Sequence, residues 1–406
     1  MSDGRVENPA AFVLPCLVIL APLPFVIATR PSAVIRAAVL ATQTAAAWWV
    51  TGTYTINLGD PIQDYAIACF LYPLPLMHCL HLYFFTDPLT DGTRHVHDIR
   101  PAQDMPFWRR VWWATCLATA FRGIGWSNQI AHCPPMPKSK TRGEFIAGAL
   151  RDLALFVLLA DIVDIYNTHN PIMSYRAAEA QSIRSQGVLF QSLSTGLWAI
   201  NIWANVQVLY CLTSILFVGL GWSEPRFWPR MCGDWRDAYT VGRTWSRVWH
   251  QMVRRFVASS GKVAARVLGC PSGSTSSRNA QLLVGFFASG FIHNWGDRMI
   301  GQTFGRSTPF FLAQAFAIMF EDAVIAEGRR AGVKESMLPR MLGYVWTGAW
   351  FVASVPLLLD VVADAGRPRG PSLPGSPLLM LSSVFGLEHS FSMPWPEARN
   401  STSVYY

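Results

Sequence analysis

The most prominent feature of the sequence is a series of long apolar stretches separated by polar segments. A transmembrane helix needs about 20 consecutive, largely apolar residues to cross the hydrocarbon core of a bilayer. The stretches that reach or approach this length lie at residues 10–28, 35–50, 66–84, 146–166, 188–220, 280–299, 308–326 and 341–363. The pattern therefore predicts an all-α fold, a polytopic membrane helical bundle of about eight transmembrane helices.

The number of spans is open by one or two. Stretch 35–50 is short and contains Arg36, whereas 188–220 is long enough for two short helices or for one helix with an interfacial extension. A further apolar stretch at 376–387 is a candidate for a re-entrant segment. No internal repeat is visible, and we expect residues 1–406 to form a single membrane domain.

The composition indicates that lipid is the solvent of these stretches. Apolar residues make up 51% of the chain and charged residues 14%, whereas a soluble domain typically carries about 25% charged residues. The 17 tryptophans fit the same interpretation, because the indole ring collects at membrane–water interfaces. The 8 cysteines are scattered without metal-like spacing, which predicts buried thiols and no disulfide framework.

Basic residues are distributed unequally between the predicted loops. One set of loops holds 24 of the 33 Lys and Arg residues, and the opposite set holds 8. The basic set consists of residues 29–36, 85–145, 221–279 and 327–340. Since cytosolic loops of membrane proteins are enriched in Lys and Arg, we expect this set to be cytosolic. The C-terminal tail then faces the lumen, where the sequon at Asn400 is a candidate glycosylation site.

The long loop 221–279 carries ten Lys and Arg residues against three acidic residues. Two interpretations fit this charge. The loop can follow the positive-inside rule and be attracted to anionic headgroups, or it can form a cytosolic dock for a phosphorylated ligand. Residues 269–280 are rich in Ser and Gly, and we interpret them as a low-complexity linker that returns the loop to the membrane.

A histidine lies inside the apolar stretch that follows this linker. Ionisable residues within a membrane are costly to retain and are functional candidates by default. Ser289 and Gly290 precede His293 by four and three residues, so they share its helical face. Asp297, four residues further on, is positioned to hold an N–H of the imidazole. The alternative is a core histidine that links two helices by a hydrogen bond.

The long loop contains a second candidate segment, in which basic and indole side chains alternate. Arg243, Arg247 and His250 are spaced by four and three residues, which predicts one face of a helix. Trp245 and Trp249 form a second stripe. A helix with a basic face beside an indole face is typical of a helix that lies along the headgroups, and this interpretation competes with a role in binding or catalysis.

A third segment, residues 121–128, has two glycines around an isoleucine. Gly123 and Gly125 indicate backbone in unusual conformations or in close contact with a neighbour. The alternative is an ordinary turn at the membrane surface.

No metal site is predicted. His95 and His97, with Asp91 and Asp98 nearby, form a conceivable cluster, but a His-x-His pair in a polar loop is usually solvated. A nucleophile is not evident either, because the sequence has no G-x-S-x-G motif and no cysteine with a histidine on its helical face. This favours direct transfer in a ternary complex over a covalent intermediate.

Taken together and in this order, the three segments resemble the wax-synthase-like branch of the membrane-bound O-acyltransferases (MBOAT). The matching pieces are R-G-I-G-W at 122–126, W-S-R-V-W-H-Q at 245–251 and S-G-F-I-H at 289–293. The resemblance covers roughly residues 60–360. Two positions depart from the family pattern: Ser246 replaces the usual glycine, and His250 stands where other branches place asparagine.

The resemblance implies an MBOAT-like bundle, an acyl-CoA donor and an alcohol acceptor. Fungal members of this branch acetylate hydroxyl groups of terpenoid and meroterpenoid natural products in secondary metabolite biosynthesis, and plant relatives esterify long-chain alcohols. It therefore implies acetyl-CoA as co-substrate, a terpenoid-like acceptor, no metal and no nucleic-acid partner, and a location in the endoplasmic reticulum. A wax-ester-type long-chain acyltransferase and a membrane transporter are the alternatives.

Acyl transfer to an alcohol needs a base, and a neutral histidine suits that task at cytosolic pH. We predict that His293 is the catalytic base and that His250 orients the donor, with both rings at one cavity that opens toward the cytosol. Four residues are predicted to bind the CoA donor: Trp249, Gln251, Arg247 and Arg243. Arg254 and Arg255 are expected at the same entrance.

The span around His293 is rich in aromatic residues. Two interpretations are open: the rings pack against lipid and neighbouring helices, or one or two of them close the pocket to acyl groups longer than acetyl. The residues concerned are Phe286, Phe287, Phe291 and Trp295.

Overall fold

The computed structural model describes residues 4–137, 141–170, 172–174, 181–366, 376–378 and 380. Its regular structure is almost entirely helical, which confirms the predicted all-α membrane bundle. The α-helices are α1 (Val13–Leu20), α2 (Pro22–Thr29), α3 (Ala33–Thr53), α4 (Pro61–Leu71), α5 (Pro73–Leu80), α6 (Phe107–Thr119), α7 (Arg142–His169), α8 (Gly187–Gly219), α9 (Val241–Arg243), α10 (Arg254–Val267), α11 (Thr275–Met299), α12 (Thr308–Arg330), α13 (Met337–Ser354) and α14 (Pro356–Ala363). Two short parallel strands pair near the N-terminus, β1 (Val6–Glu7) and β2 (Tyr54–Thr55).

All eight predicted spans fall on helices. Six helical segments in the described part of the chain are long and apolar enough to cross a membrane: Pro9–Thr29, Ala33–Thr53, Pro61–Phe85, Ile183–Gly219, Thr308–Arg330 and Met337–Ala363. The predicted spans 146–166 and 280–299 correspond to α7 and α11, which are long enough but are less apolar or carry more charged residues than these six. The stretch 188–220 forms one continuous helix, α8, so its division into two helices is excluded.

Three predicted spans are each divided by a proline. The breaks precede Pro22, Pro73 and Pro356, each of which begins a new helix. Proline lacks the N–H that an interior helical position donates, and its ring clashes with the preceding turn, but it is well accommodated at the first position of a helix. The divisions therefore follow from the sequence, although hydropathy alone does not reveal them.

The predicted linker 269–280 is shorter than expected. Helix α10 ends at Val267 and α11 begins at Thr275. The side chain of Ser274 accepts a hydrogen bond of 3.1 Å from the backbone N–H of Ser277, and such a cap satisfies a donor that the first helical turn leaves open. The Ser-rich part of the segment thus starts the helix that carries His293.

The chain divides into two compact units. Among the described residues, the first comprises 4–58, 63–137 and 224–350, and the second comprises 59–62, 141–170, 172–174, 181–223, 351–366, 376–378 and 380. In the second unit α7 packs along α8 around the buried side chains of Phe156, Ala160, Ala204 and Cys211. All three segments that carry the family resemblance belong to the first unit. The single domain over residues 1–406 stays a prediction, as does the orientation of the loops.

Some predictions concern the C-terminal region. The sequon at Asn400 lies outside the described residues, as does most of the candidate re-entrant stretch 376–387.

Candidate active site

His293 lies on α11, half-buried, at a point where α4 and α12 approach the helix. The ring of Phe311 from α12 stacks on the imidazole with 4.4 Å between centroids. The hydroxyl of Tyr65 from α4 is 3.2 Å from His293 Nδ1, and the thiol of Cys69, one turn further along α4, is 3.5 Å from the same nitrogen. Three helices therefore fix the position of this ring.

Asp297 does not contact His293 directly, so the predicted contact between them is wrong. Its buried carboxylate instead accepts hydrogen bonds from the backbone N–H of Ser307, at 2.9 Å, and from the Ser307 hydroxyl. That hydroxyl lies 2.7 Å from the Tyr65 hydroxyl. The carboxylate is thus connected to His293 through two intervening hydroxyl groups, from Ser307 and Tyr65.

Small residues on α11 permit this close packing. A Cβ at Gly296 would lie 2.6 Å from the Tyr65 ring, so only glycine allows Tyr65 to reach His293. A Cβ at Gly290 would lie 3.3 Å from the backbone of Thr308. The prediction that Gly290 allows a close approach at the His293 face is consistent with this contact, and the neighbour is the start of α12.

The segment around His250 does not form the predicted helical face. The three-residue helix α9 continues into a single π-helical turn, Thr244–Val248, and the chain becomes extended at Trp249. This turn directs His250 toward α4, where its ring lies 6.5 Å from that of Phe70. Since the neighbouring residue Cys69 contacts His293, α4 connects the two histidines.

The structure therefore brings His250 and His293 together, although 42 residues separate them in the sequence. Their imidazoles lie close enough for a direct electrostatic interaction. The cavity that was predicted to join them, and its opening toward the cytosol, stay predictions.

Two anchors hold the loop segment against α12. The buried carboxylate of Glu321 accepts hydrogen bonds from the backbone N–H groups of Val241, at 2.7 Å, and Gly242, at 3.1 Å. The indole of Trp245 packs against Phe310 and Phe311, with centroid distances of 6.4 and 6.5 Å. A carboxylate at the start of a helix satisfies open N–H donors, so Glu321 explains why the chain turns where it does.

His250 is neutral at cytosolic pH. Its burial lowers the pKa to about 4, because a charged imidazole loses its hydration there. Its Nδ1 atom is buried and has no hydrogen-bond partner among the described residues. A neutral ring with an unpartnered nitrogen is suited to contact a polar group of a bound ligand.

We expect His250 to make the folded protein sensitive to acid. Its folded pKa of about 4 lies below the ordinary value of 6.5, so the unfolded state binds more protons, and stability that is present above about pH 6.5 is lost as the pH falls toward about 4. The loss amounts to roughly 3 kcal/mol. The Tm in detergent should therefore fall further between about pH 7.5 and about pH 4.5 for the wild type than for His250→Gln. Equal falls would contradict the buried, neutral state of His250.

Three of the residues predicted to bind the donor have partners within the protein. Arg243 forms an ion pair with Asp237. The amide of Gln251 is buried, donates to the carbonyl oxygen of Trp249 at 2.6 Å and accepts from Arg254 at 2.9 Å. The Trp249 ring lies beside that of His250, with centroids 5.6 Å apart. Gln251 and Trp249 therefore shape the turn that presents His250, and their contact with a donor stays a prediction.

Arg247 belongs to a basic cluster. The pKa of the exposed His132 is lowered first by partial desolvation and then by the positive charges of Arg254, Arg247 and Arg243, with Asp237 opposing them. The three guanidinium groups therefore lie around one place. Arg247 is half-buried and has no acidic partner among the described residues. The cluster is a candidate dock for an anionic group.

Arg255, by contrast, is part of a structural clamp, and its place at the donor entrance stays a prediction. Its buried guanidinium donates to the backbone carbonyl of Ala120, at 3.2 Å, and to Asn128, and desolvation lowers its pKa to about 10. In the reverse direction, Arg122 donates to the carbonyl oxygens of Pro229 and Arg230. These two arginines fasten the R-G-I-G-W segment to the long loop.

The glycines of that segment are required by the backbone, as predicted. Gly123 and Gly125 have φ of 61° and 80°, a region that L-residues rarely adopt. A Cβ at Gly123 would also collide with the guanidinium of Arg255.

Gly123→Ala should destabilise the protein by about 1–3 kcal/mol from backbone strain alone, with a further loss from displacing Arg255. Gly92→Ala is the matched control, because Gly92 also has a positive φ, of 82°, but no neighbour within 4 Å of the added Cβ. We expect a larger fall in Tm for Gly123→Ala when both proteins are purified in detergent. The same fall in both variants would show that the clamp contributes nothing.

His95 and His97, which were considered as metal ligands, lie beside other partners within the protein. His97 Nε2 lies 2.8 Å from the carboxylate of Glu224, and Asp98 accepts hydrogen bonds from the backbone of His95 and the indole of Trp113. Within the described residues, no group of three or more His, Cys, Asp or Glu side chains is arranged to hold a metal ion.

Comparison with known proteins places this site in a family. Residues 228–315 match the sequence model of the membrane bound O-acyl transferase family, a range that includes both His250 and His293. The acetyltransferase ple2 of Rhodocybe pseudopiperita is 33% identical over 329 residues, which cover 80% of this chain and 84% of that protein. The acetyltransferase eriL of Hericium erinaceus is 34% identical over 268 residues, or 64% and 68% of the two chains.

A third relative carries a different name. The O-mevalon transferase macI of Penicillium terrestre is 28% identical over 315 residues, which cover 71% of each chain. These matches confirm the predicted resemblance. They favour an O-acyltransferase over the alternative of a membrane transporter. With its apolar helices, the chain is an integral membrane protein that belongs to the membrane bound O-acyl transferase family, and it is an O-acyltransferase.

Proposed function

We propose that this enzyme transfers an acetyl group from acetyl-CoA to a hydroxyl group of a terpenoid or meroterpenoid acceptor, in secondary metabolite biosynthesis at the endoplasmic reticulum. The observation that carries the proposal is the pairing of His293 and His250, which two distant motif segments deliver to one place on α4. The acetyl group is supported by the relatives ple2 and eriL, both of which are named acetyltransferases.

His293 acts as the general base in this reaction. It takes the proton of the acceptor hydroxyl while the oxygen attacks the thioester carbonyl carbon, so that the new C–O bond forms and the C–S bond breaks. The proton then passes from the imidazole to the departing CoA sulfur. The apolar surroundings, including the stacked Phe311, help to exclude water that would hydrolyse the thioester.

His250 orients the donor and polarises its carbonyl. Because its pKa of about 4 keeps it neutral, it can offer an N–H to the carbonyl oxygen without carrying a positive charge close to His293. Hydrogen-bond donors that face the developing oxyanion are among the largest contributions to catalysis of acyl transfer.

The CoA phosphates are held at the cluster of Arg243, Arg247 and Arg254 around His132. Guanidinium groups suit phosphate because they donate two parallel hydrogen bonds to it. Arg247 is the strongest candidate of the three, since Arg243 is paired with Asp237 and Arg254 donates to Gln251.

The experiment that tests this function incubates membranes containing the protein with labelled acetyl-CoA and a hydroxylated terpenoid extract. We expect labelled ester products that do not form with membranes lacking the protein. Two further donors are tested separately: mevalonyl-CoA, because two relatives are named O-mevalon transferases, and a long-chain acyl-CoA. Ester formation only from that donor, or from long-chain acyl-CoA, would contradict the proposed acetyl transfer.

A further inference from the structure

We propose that Tyr65, Ser307 and Asp297 form a relay of hydrogen bonds that fixes His293 in the tautomer with its proton on Nδ1. The proposal rests on the proposed role of His293 as the base, and it adds three positioning residues to that role.

The relay is continuous and buried. Tyr65 is 6% exposed, and Ser307 and Asp297 are not exposed at all. The Tyr65 hydroxyl lies 3.2 Å from His293 Nδ1 and 2.7 Å from the Ser307 hydroxyl, which in turn bonds to the Asp297 carboxylate. Buried polar groups must be satisfied by one another, so each member of the chain constrains the next.

The carboxylate sets the direction of every bond. Asp297 already accepts the backbone N–H of Ser307, and an ionised carboxylate can only accept. The Ser307 hydroxyl therefore donates to Asp297, and its oxygen accepts the proton of the Tyr65 hydroxyl. The phenolic oxygen is then left to accept, and His293 Nδ1 must carry the hydrogen that it receives.

This assignment leaves Nε2 as the one nitrogen of His293 with a free lone pair, so Nε2 takes the proton of the acceptor. It also places a carboxylate at the far end of the relay from the imidazolium that forms in the transition state, which favours that charged state. The titratable groups around the ring are Tyr65 and Cys69 from α4, His250 from the long loop and, through the relay, Asp297.

The same assignment determines the role of Cys69. Its thiol lies 3.5 Å from Nδ1, an approach typical of a thiol activated by a histidine. A protonated Nδ1 cannot accept the thiol proton, so Cys69 is not made nucleophilic and the acetyl group passes directly from donor to acceptor.

After incubation with labelled acetyl-CoA alone, the protein should therefore carry no covalent label. A labelled Cys69 would overturn the assigned tautomer.

The decisive variant is Tyr65→Phe, which removes the hydroxyl and keeps the ring against Gly296. We expect kcat for acetyl transfer to fall about 10–100-fold, as is typical when a hydrogen-bond partner that orients a functional histidine is removed, with KM for acetyl-CoA within about twofold. The acidic limb of the pH–rate profile should move to lower pH, because the relay no longer stabilises the protonated ring. Tyr72→Phe is the control, since Tyr72 is equally buried and its hydroxyl donates to the Phe12 carbonyl instead.

Wild-type kcat in Tyr65→Phe, or the same kinetic loss in Tyr72→Phe, would overturn the relay. If Tyr65→Phe does not accumulate, Ser307→Ala decides, because it removes the middle hydroxyl and should reduce kcat in the same way. The double variant should be no worse than the worse single variant, since residues in one network are not additive. Activity in His293→Ala would refute the proposed function, whereas full activity in Tyr65→Phe with an inactive His293→Ala would refute the relay alone.

Discussion

Replacing His293 with alanine is expected to abolish acyl transfer while the protein accumulates in membranes at near-normal abundance. General-base catalysis is typically worth 10²–10⁴-fold in rate, and the other neutral imidazole at this place, His250, has the proposed role of orienting the donor. The half-buried ring of His293 is held mainly by Phe311, Tyr65 and Cys69, so its removal leaves α4, α11 and α12 packed. Membrane abundance and ester formation are measured on the same preparation.

The asparagine variant separates a base from a structural histidine. His293→Asn preserves a hydrogen-bonding side chain of similar size but offers no basic nitrogen, so it should be as inactive as His293→Ala. His97→Ala is the control, because His97 is 52% exposed and pairs with Glu224 away from the site. Retention of even about a tenth of wild-type activity in His293→Asn would show that His293 is structural, given the 10²–10⁴-fold expected of a base.

The course of the helices was largely predictable from the apolarity and the length of each stretch. Each of the eight stretches falls on a helix, because backbone groups within lipid must be satisfied inside their own segment. The breaks before Pro22, Pro73 and Pro356 were missed because one proline lowers the mean hydropathy of a long apolar stretch only slightly. The start of α11 was missed because Ser274 acts through a cap, which overrides the flexible composition around it.

The site was predictable in part. The two histidines were identified from their motifs, whereas Tyr65 and Cys69 were not, because α4 is more than two hundred residues away in the sequence and only the folded chain brings it to His293. Ser307 was missed for another reason: it directly precedes α12, and only the turn between α11 and α12 brings it to Asp297. Gly296 was a usable signal, since a glycine beside Trp295 and Asp297 within a helix indicates close packing. The partner of that glycine, Tyr65, is not visible from the sequence.

The segment around His250 shows a different reason why the sequence alone was not sufficient. Spacing of four and three residues predicted a regular helix, but Glu321 captures the N–H groups of Val241 and Gly242, and the chain leaves the helix after one π-helical turn. A tertiary contact from α12 therefore overrides the local periodicity. The amphipathic helix of this loop is α10, which begins at Arg254, after the residues for which it was predicted.

The aromatic residues around His293 differ in what they face. Phe287 is 54% exposed, as expected for a ring that faces lipid. Phe291 packs on Phe304 and the buried Trp295. Phe286 contacts Trp245 at 5.8 Å, and Trp245 in turn packs on Phe311, the ring that stacks on His293. Phe286, Trp245 and Phe311 therefore form an aromatic wall next to the base, and Phe286 is the one of the four residues considered that belongs to it.

This wall leads us to expect a strong preference for acetyl-CoA over octanoyl-CoA. Each additional buried CH₂ would gain a donor about 0.8 kcal/mol in an open tunnel, whereas forcing methylenes into a filled space costs about 1–3 kcal/mol. Octanoyl-CoA is six carbons longer than acetyl-CoA, so we expect a closed wall to impose the upper end of this cost, about 3 kcal/mol. Its kcat/KM should then be about a hundredfold lower than that of acetyl-CoA, since about 1.4 kcal/mol corresponds to a factor of ten.

Phe286→Ala tests whether the wall sets this preference. The substitution removes a ring behind Trp245 without touching His293, so the ratio of kcat/KM for acetyl-CoA to that for octanoyl-CoA should fall at least about tenfold, through a gain with the longer donor. Phe287→Ala is the matched control, because it makes the same change at the next residue, on an exposed ring, and should leave the ratio unchanged. Comparable rates with both donors in the wild type would contradict the expected preference and favour a wax-ester-type synthase. Equal ratios in the two variants would show that the chain length of the donor is set elsewhere.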